Sequence, residues 1–169
     1  MDFAEFDMLA EPLRQRSARE RARHGFALVD GLVSTPEVIA LVEGRMGIVL
    51  PDKYKVFMTR YGGGVFGFVE LFPLVEPGKP ARYGDVWSEN EQWFPEGDFV
   101  AVAAVGTGDY WGFPVTEGRC HEQVWFHFHD QDDHEPVAAD FLEFIAEEGL
   151  KSPADRVMER RALDDRRSW

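Results

Sequence analysis

Apolar positions along this chain switch between a helical rhythm and a strand rhythm. The clearest signal lies in Leu41–Phe72. Tyr54, Phe57, Met58 and Tyr61 recur at i, i+3, i+4 and i+7, which is one face of a helix. Pro51 suits a first helical position, where its missing N–H costs nothing. Gly62-Gly63-Gly64 then stops the helix, because glycine reaches positive φ cheaply. The aromatic and β-branched run Val65–Phe72 predicts a buried strand.

Other elements follow from the same rules. Phe3, Phe6, Met8, Leu9 and Leu13, with Ala10 between, allow a helix that continues into Arg14, Arg16, Arg19, Arg21 and Arg23. That Arg-rich stretch suits a solvated helix face on an acidic body, or a contact with a partner. Gly25–Val33 reads as an extended lead-in. Ser34 or Thr35 can cap a helix that buries Val38, Leu41 and Val42, with Ile39 and Met46 alongside, and ends at Gly47. Within the polar stretch Pro73–Asp98, Asp85–Phe94 suits one or two helical turns. Phe99–Val105, Tyr110–Val115 and Glu122–His129 predict a three-strand meander, with Gly106–Asp109 as a hairpin turn and Pro114 at an edge or strand end. Val124, Phe126 and Phe128 take one face of its last strand, and Gln123, Trp125, His127 and His129 the other. A polar loop over His129–Glu135 leads to a helix over Ala138–Glu148, ended by Gly149. Ser152-Pro153 starts a short last helix whose end is polar and frayed. The fold class is therefore α+β, a single domain with a mostly antiparallel sheet and helices packed around it.

Composition narrows the function. A chain of 169 residues with 44% hydrophobic and 14% aromatic content builds a real core, so global disorder is not expected. No apolar run approaches a membrane span, and the acidic N-terminus lacks a signal-peptide pattern. The single cysteine, Cys120, excludes an internal disulfide and a cysteine-based zinc site. These features predict a cytoplasmic protein. Net charge is −13, concentrated in residues 25–150, which carry 7 Lys+Arg against 22 Asp+Glu. Such a body repels nucleic-acid phosphates and attracts a basic protein.

Candidate chemistry is sparse. His127, His129, Asp130, Asp132, Asp133 and His134 form the one enzyme-like cluster, and a metal-dependent hydrolase using His127, His129 and Asp130 is the rival reading. Gly62–Gly67 follows a helix and precedes a strand, which is the wrong context for a phosphate loop. Neither a G-x-S-x-G elbow nor a Cys–His couple is spelled out. No catalytic residue, metal or cofactor is therefore assigned. A binding surface remains. Trp87, Trp93, Tyr110 and Trp111, interleaved with Glu89, Glu91, Glu96, Asp98 and Asp109, have the anchors and charge that suit a basic protein partner. Of Trp87, Trp93, Tyr110, Trp111 and Trp125, at least two are expected to be exposed.

Leu50-Pro51 with Tyr54, Tyr61-Gly62-Gly63-Gly64, Gly108-Asp109-Tyr110 and Phe141-Leu142-Glu143-Phe144-Ile145, in that order, resemble the SUKH superfamily, Smi/Knr type. The resemblance spans Thr35 to Gly149. It implies an α+β fold and a protein-binding role without catalytic residues. Bacterial members look like immunity proteins that neutralise toxins, often nucleases. Fungal members act in cell-wall regulation, so a regulatory scaffold is a further alternative. Three segments follow: an Arg-rich, helical arm (1–24), a SUKH-like domain (25–150), and a short helix and tail (151–169). The chain is expected to be a monomer or homodimer.

Overall fold

The structure is a computed structural model that describes residues 1–79, 81, 84–130 and 133–158. Helix α1 (Phe3–His24) leads to strand β1 (Val29–Leu32), helices α2 (Pro36–Met46) and α3 (Asp52–Arg60), and the strands β2 (Gly63–Phe66) and β3 (Val69–Glu70). After helix α4 (Val86–Trp93) come β4 (Phe99–Ala104), β5 (Tyr110–Thr116), β6 (Arg119–Cys120), β7 (Val124–Phe128) and β8 (Asp133–Ala138). Helix α5 (Phe141–Phe144) runs into a π-helical turn, Ile145–Gly149. A last helical stretch occupies 153–158, and the tail whose fraying was expected lies outside the described residues.

The strands form two antiparallel sheets rather than one. The smaller has the order β1-β2-β3; the larger has the order β4-β5-β7-β8, with β6 paired to β5. The expected meander is β4, β5 and β7. Strand β8 lies where a polar loop was expected, with its His134 opposite His127 and its Asp133 opposite Phe128. Its charged and proline-broken sequence carries no alternating apolar signal, so only cross-strand pairing reveals it.

α3 is the centre of the core. Tyr54, Phe57 and Met58 are fully buried, as their spacing implies. Phe57 meets Phe66 and Phe141 at ring-centroid distances of 5.2 Å, and Tyr54 meets Phe141 at 4.8 Å, both in edge-to-face geometry. Pro51, expected as the first helical residue, stands one position earlier, at the N-cap, with no side-chain capping hydrogen bond. The predicted Val65–Phe72 strand is broken into β2 and β3 by a turn at Gly67, whose φ is +63°. A Cβ there would stand 2.0 Å from the Gly149 carbonyl oxygen, so the turn needs both the left-handed backbone and the missing side chain.

Thr35, not Ser34, caps α2 by accepting from Val38 N–H, and Gly47 ends the helix at φ +66°. Its inner face is Ile39 and Val42; Val38 is half-buried, and Leu41, expected inside, is exposed. α1 likewise turns Phe6, Ala10 and Ser17 inward and leaves Leu9 half in solvent. The Ser17 hydroxyl accepts from Leu28 N–H and Val29 N–H at 2.9 Å, which fastens α1 along β1. Helix α5 starts later than expected. Ala138 pairs with Val124 in the sheet, and Asp140 caps the helix by accepting from Leu142 and Glu143 N–H.

Candidate functional site

The sequence-predicted surface centres on α4, an eight-residue helix too short to persist alone. Asp85 caps it, accepting from Ser88 N–H at 3.1 Å and from the Ser88 hydroxyl at 2.6 Å. Asn90 then binds it to β4. Its Nδ2 donates to the Ala101 and Val86 carbonyls, and its Oδ1 accepts from Ala101 N–H, each at 2.8 Å. One side-chain amide thus satisfies the donor and acceptor of Ala101 at the outer edge of β4.

This mount presents a line of predicted residues to solvent. Trp93 is 55% exposed, and Glu91, Glu96 and Asp98, close to it in sequence, are exposed as well. Among the described residues none of these three carboxylates joins an ion pair. Trp87 is half-buried, with the Arg45 guanidinium 4.9 Å from its ring centroid. Glu89 is half-buried, and its carboxylate lies over Gly84. Burial, then the nearby Asp85 charge, raises its pKa above the ordinary value, with a hydrogen bond from Trp93 working the other way. Phe94 closes the helix against Phe99 and Tyr110, at ring-centroid distances of 5.2 and 5.3 Å.

Two predicted residues stand apart. Trp111 faces the opposite side of the larger sheet, 5.4 Å from Phe144 and 6.0 Å from Phe126. Strand alternation separates it from Tyr110. Asp109 is turned into its own hairpin, where it accepts from Thr107, from His129 N–H at 3.0 Å and from His129 Nδ1 at 2.7 Å. The Thr107 and His129 hydrogen bonds lower its pKa to about 2. Of the five rings expected to include at least two exposed ones, Trp93 is exposed and the other four are half-buried.

His127, His129 and Asp130 are not brought together as a metal-binding trio. His129 is committed to Asp109, while His127 Nδ1 stands 3.1 Å from His134 Nδ1 across the β7–β8 pair. Among the described residues, no group of three His, Cys, Asp or Glu side chains could hold a metal; Asp132 lies outside them. Cys120 is buried. Burial, with the charges of Glu43 and Glu122, pushes its thiol up to about 12, far from a nucleophile's range.

Sequence reasoning missed a groove of about 860 Å³ on the smaller sheet. Cross-strand register puts Asp30, Val65 and Glu70 in one row and Leu32 and Gly63 in the next, all on the outward face. Val29, Phe66 and Val69 take the inward face. The signal was alternation in β1 and β2, but the strands are only four residues each and their register is a tertiary fact.

An α+β body with two antiparallel sheets around an aromatic helix sets the frame for comparison with known families. The SUKH_6 family model, described as SMI1-KNR4 cell-wall, matches residues 36–145, more than half of the chain. The chain belongs to the SUKH, or SMI1-KNR4, family. No curated protein matches it. In SUKH terms the match opens at the first residue of α2 after Thr35 and closes at the start of the π-helical turn. α1 and β1 lie outside the SUKH_6 match, although Phe6 of α1 is fully buried in the same core. Among the described residues, no helix is long and apolar enough to cross a membrane.

Proposed function

We propose that this SUKH-family chain is a non-enzymatic, cytoplasmic binding protein, an immunity protein that occludes a basic toxin domain. One observation carries the reading: Trp93 is exposed at the end of a helix held firmly to the sheet edge, and Glu91, Glu96 and Asp98, close to it in sequence, are exposed and join no ion pair among the described residues. Unpaired charge speeds encounter, and a large aromatic anchor sets residence time. Family membership supports a protein-binding role in general, and the net charge of −13 supports a basic partner. The scaffold alternative uses the same surface and differs in the partner's identity.

The test uses the product of the neighbouring reading frame, expected on this reading to be a secreted protein with a C-terminal toxin domain. Charge reversal at Glu91 and Glu96 is expected to slow association by about tenfold at low salt, and less as salt rises. Trp93→Ala is expected to speed dissociation. Glu89 is the weaker test site because its carboxylate is packed over Gly84. Association and dissociation rates unaffected by these changes would mean that α4 is not the binding face. Elemental analysis of the purified protein addresses the hydrolase rival, which requires stoichiometric metal lost on His127→Ala.

A further inference from the structure

The groove on the smaller sheet is an open sheet face, and its construction is specific. Leu32 is 57% exposed there, and Val65 is half-buried beside it. Gly63 lies opposite Leu32, and a Cβ on Gly63 would stand 2.3 Å from the Pro73 Cα. On the opposite face of β1, a Cβ on Gly31 would stand 2.1 Å from the Tyr61 carbonyl oxygen. The Pro73 backbone therefore closes directly over Gly63, so the open apolar surface is that of Leu32 and Val65.

Carboxylates border this apolar strip. Asp30 and Glu70 flank Val65 in a single cross-strand row. Asp30 is bridged by Arg21 at 2.9 Å, and among the described residues Glu70 has no cation. At one end Gly84 lines the groove, and the Glu89 carboxylate lies over Gly84. The groove therefore runs continuously into the start of α4. Its lining is apolar with acidic borders, in a body where acidic side chains outnumber basic ones about threefold.

We infer that this groove receives a segment of the same protein partner in which lysine or arginine residues flank an apolar side chain. The apolar residue settles on Leu32 and Val65, beside the Pro73 backbone that covers Gly63. One basic head reaches Glu70, and another reaches the Glu89 end. This inference rests on the proposed binding role and extends it from one exposed helix to a surface that wraps from α4 onto the smaller sheet. A segment of that composition gains from apolar burial and from pairing with a carboxylate that has no cation among the described residues.

The experiment measures affinity for the same neighbouring toxin domain with two variant sets. Glu70→Lys and Leu32→Asp probe the groove; both side chains are exposed, and circular dichroism with a thermal melt confirms the fold. Trp93→Ala with Glu96→Lys probes α4, and Arg16→Glu on the outer face of α1 is the control. Each groove variant is expected to weaken binding by about tenfold or more, with the Glu70→Lys loss shrinking at high salt and the control unchanged. Groove variants within twofold of the parent, while the α4 set loses affinity, would overturn the inference and leave the binding role standing. Loss in the groove set alone would keep the inference and move the interface off α4. A folded parent that forms no complex with the toxin domain would end both.

Discussion

Two side chains carry more than their sequence neighbourhood suggests. Asn90 replaces a strand at the edge of β4, so Asn90→Ala strips partners from both polar groups of buried Ala101. Each unsatisfied group costs about 1–3 kcal/mol, and the variant is expected to lose about 2–4 kcal/mol in urea unfolding. Asp109 and His129 staple the β4–β5 turn to the end of β7. The His129 pKa is raised, chiefly by its hydrogen bond to Asp109, and the Asp109 pKa is lowered. The Asp109 contribution is present above its ordinary value of 3.8 and is lost as pH falls toward about 2. The His129 contribution is full below its ordinary value of 6.5 and is lost as pH rises through its higher folded value. The melting-temperature gap between the parent and Asp109→Asn is therefore expected to peak near pH 5 and to narrow toward pH 9 and pH 2. A gap that stays constant with pH would show that the pair's ionisation contributes nothing.

At the scale of elements, helices were legible and short strands were not. α3 carries its whole face in four residues, and its glycine stop is written beside it. Strand β8 is charged and contains Pro136, so nothing local distinguishes it from a loop. α5 was read too long because Ala138 fits the helical spacing of Phe141, Leu142 and Ile145, while the deciding cap is Asp140. The Arg-rich stretch predicts a helix lying on the acidic body, and Phe6 of α1 packs against Phe57 at 5.9 Å and Tyr61 at 5.8 Å. Phe6→Ala is expected to cost about 3–5 kcal/mol in denaturant unfolding, a loss that a detachable arm would not show. Gly62→Ala strains a residue at φ +78° and sets a Cβ 2.3 Å from the Leu32 backbone. Loss of more than about 3 kcal/mol, or failure to fold, is expected, since nothing at that contact is a movable side-chain end.

For the whole molecule, acidity and exposed surface act together. Formal charge is −13, while Arg16, Arg19 and Arg23 are exposed on α1, so the molecule is electrically lopsided. A basic partner of the kind proposed is expected to be steered to the acidic body, with an association rate that falls steeply with ionic strength. A salt-independent rate in stopped-flow mixing would remove the electrostatic part of the proposed role. Of the nine residues named as a surface, the α4 set is mounted together, whereas Trp111 and Asp109 were lost to strand alternation and to a turn.

By itself the sequence determined the α+β class, the aromatic helix face and the placement of α4. These depend on periodicity, caps and glycine stops, which act within a few residues. Tertiary structure alone decided the split into two sheets, the pairing of His127 with His134 and the outward row of Asp30, Val65 and Glu70. Those features depend on strand register, a relation between residues far apart in the chain. Register is fixed by how the whole core closes, and no short stretch carries it.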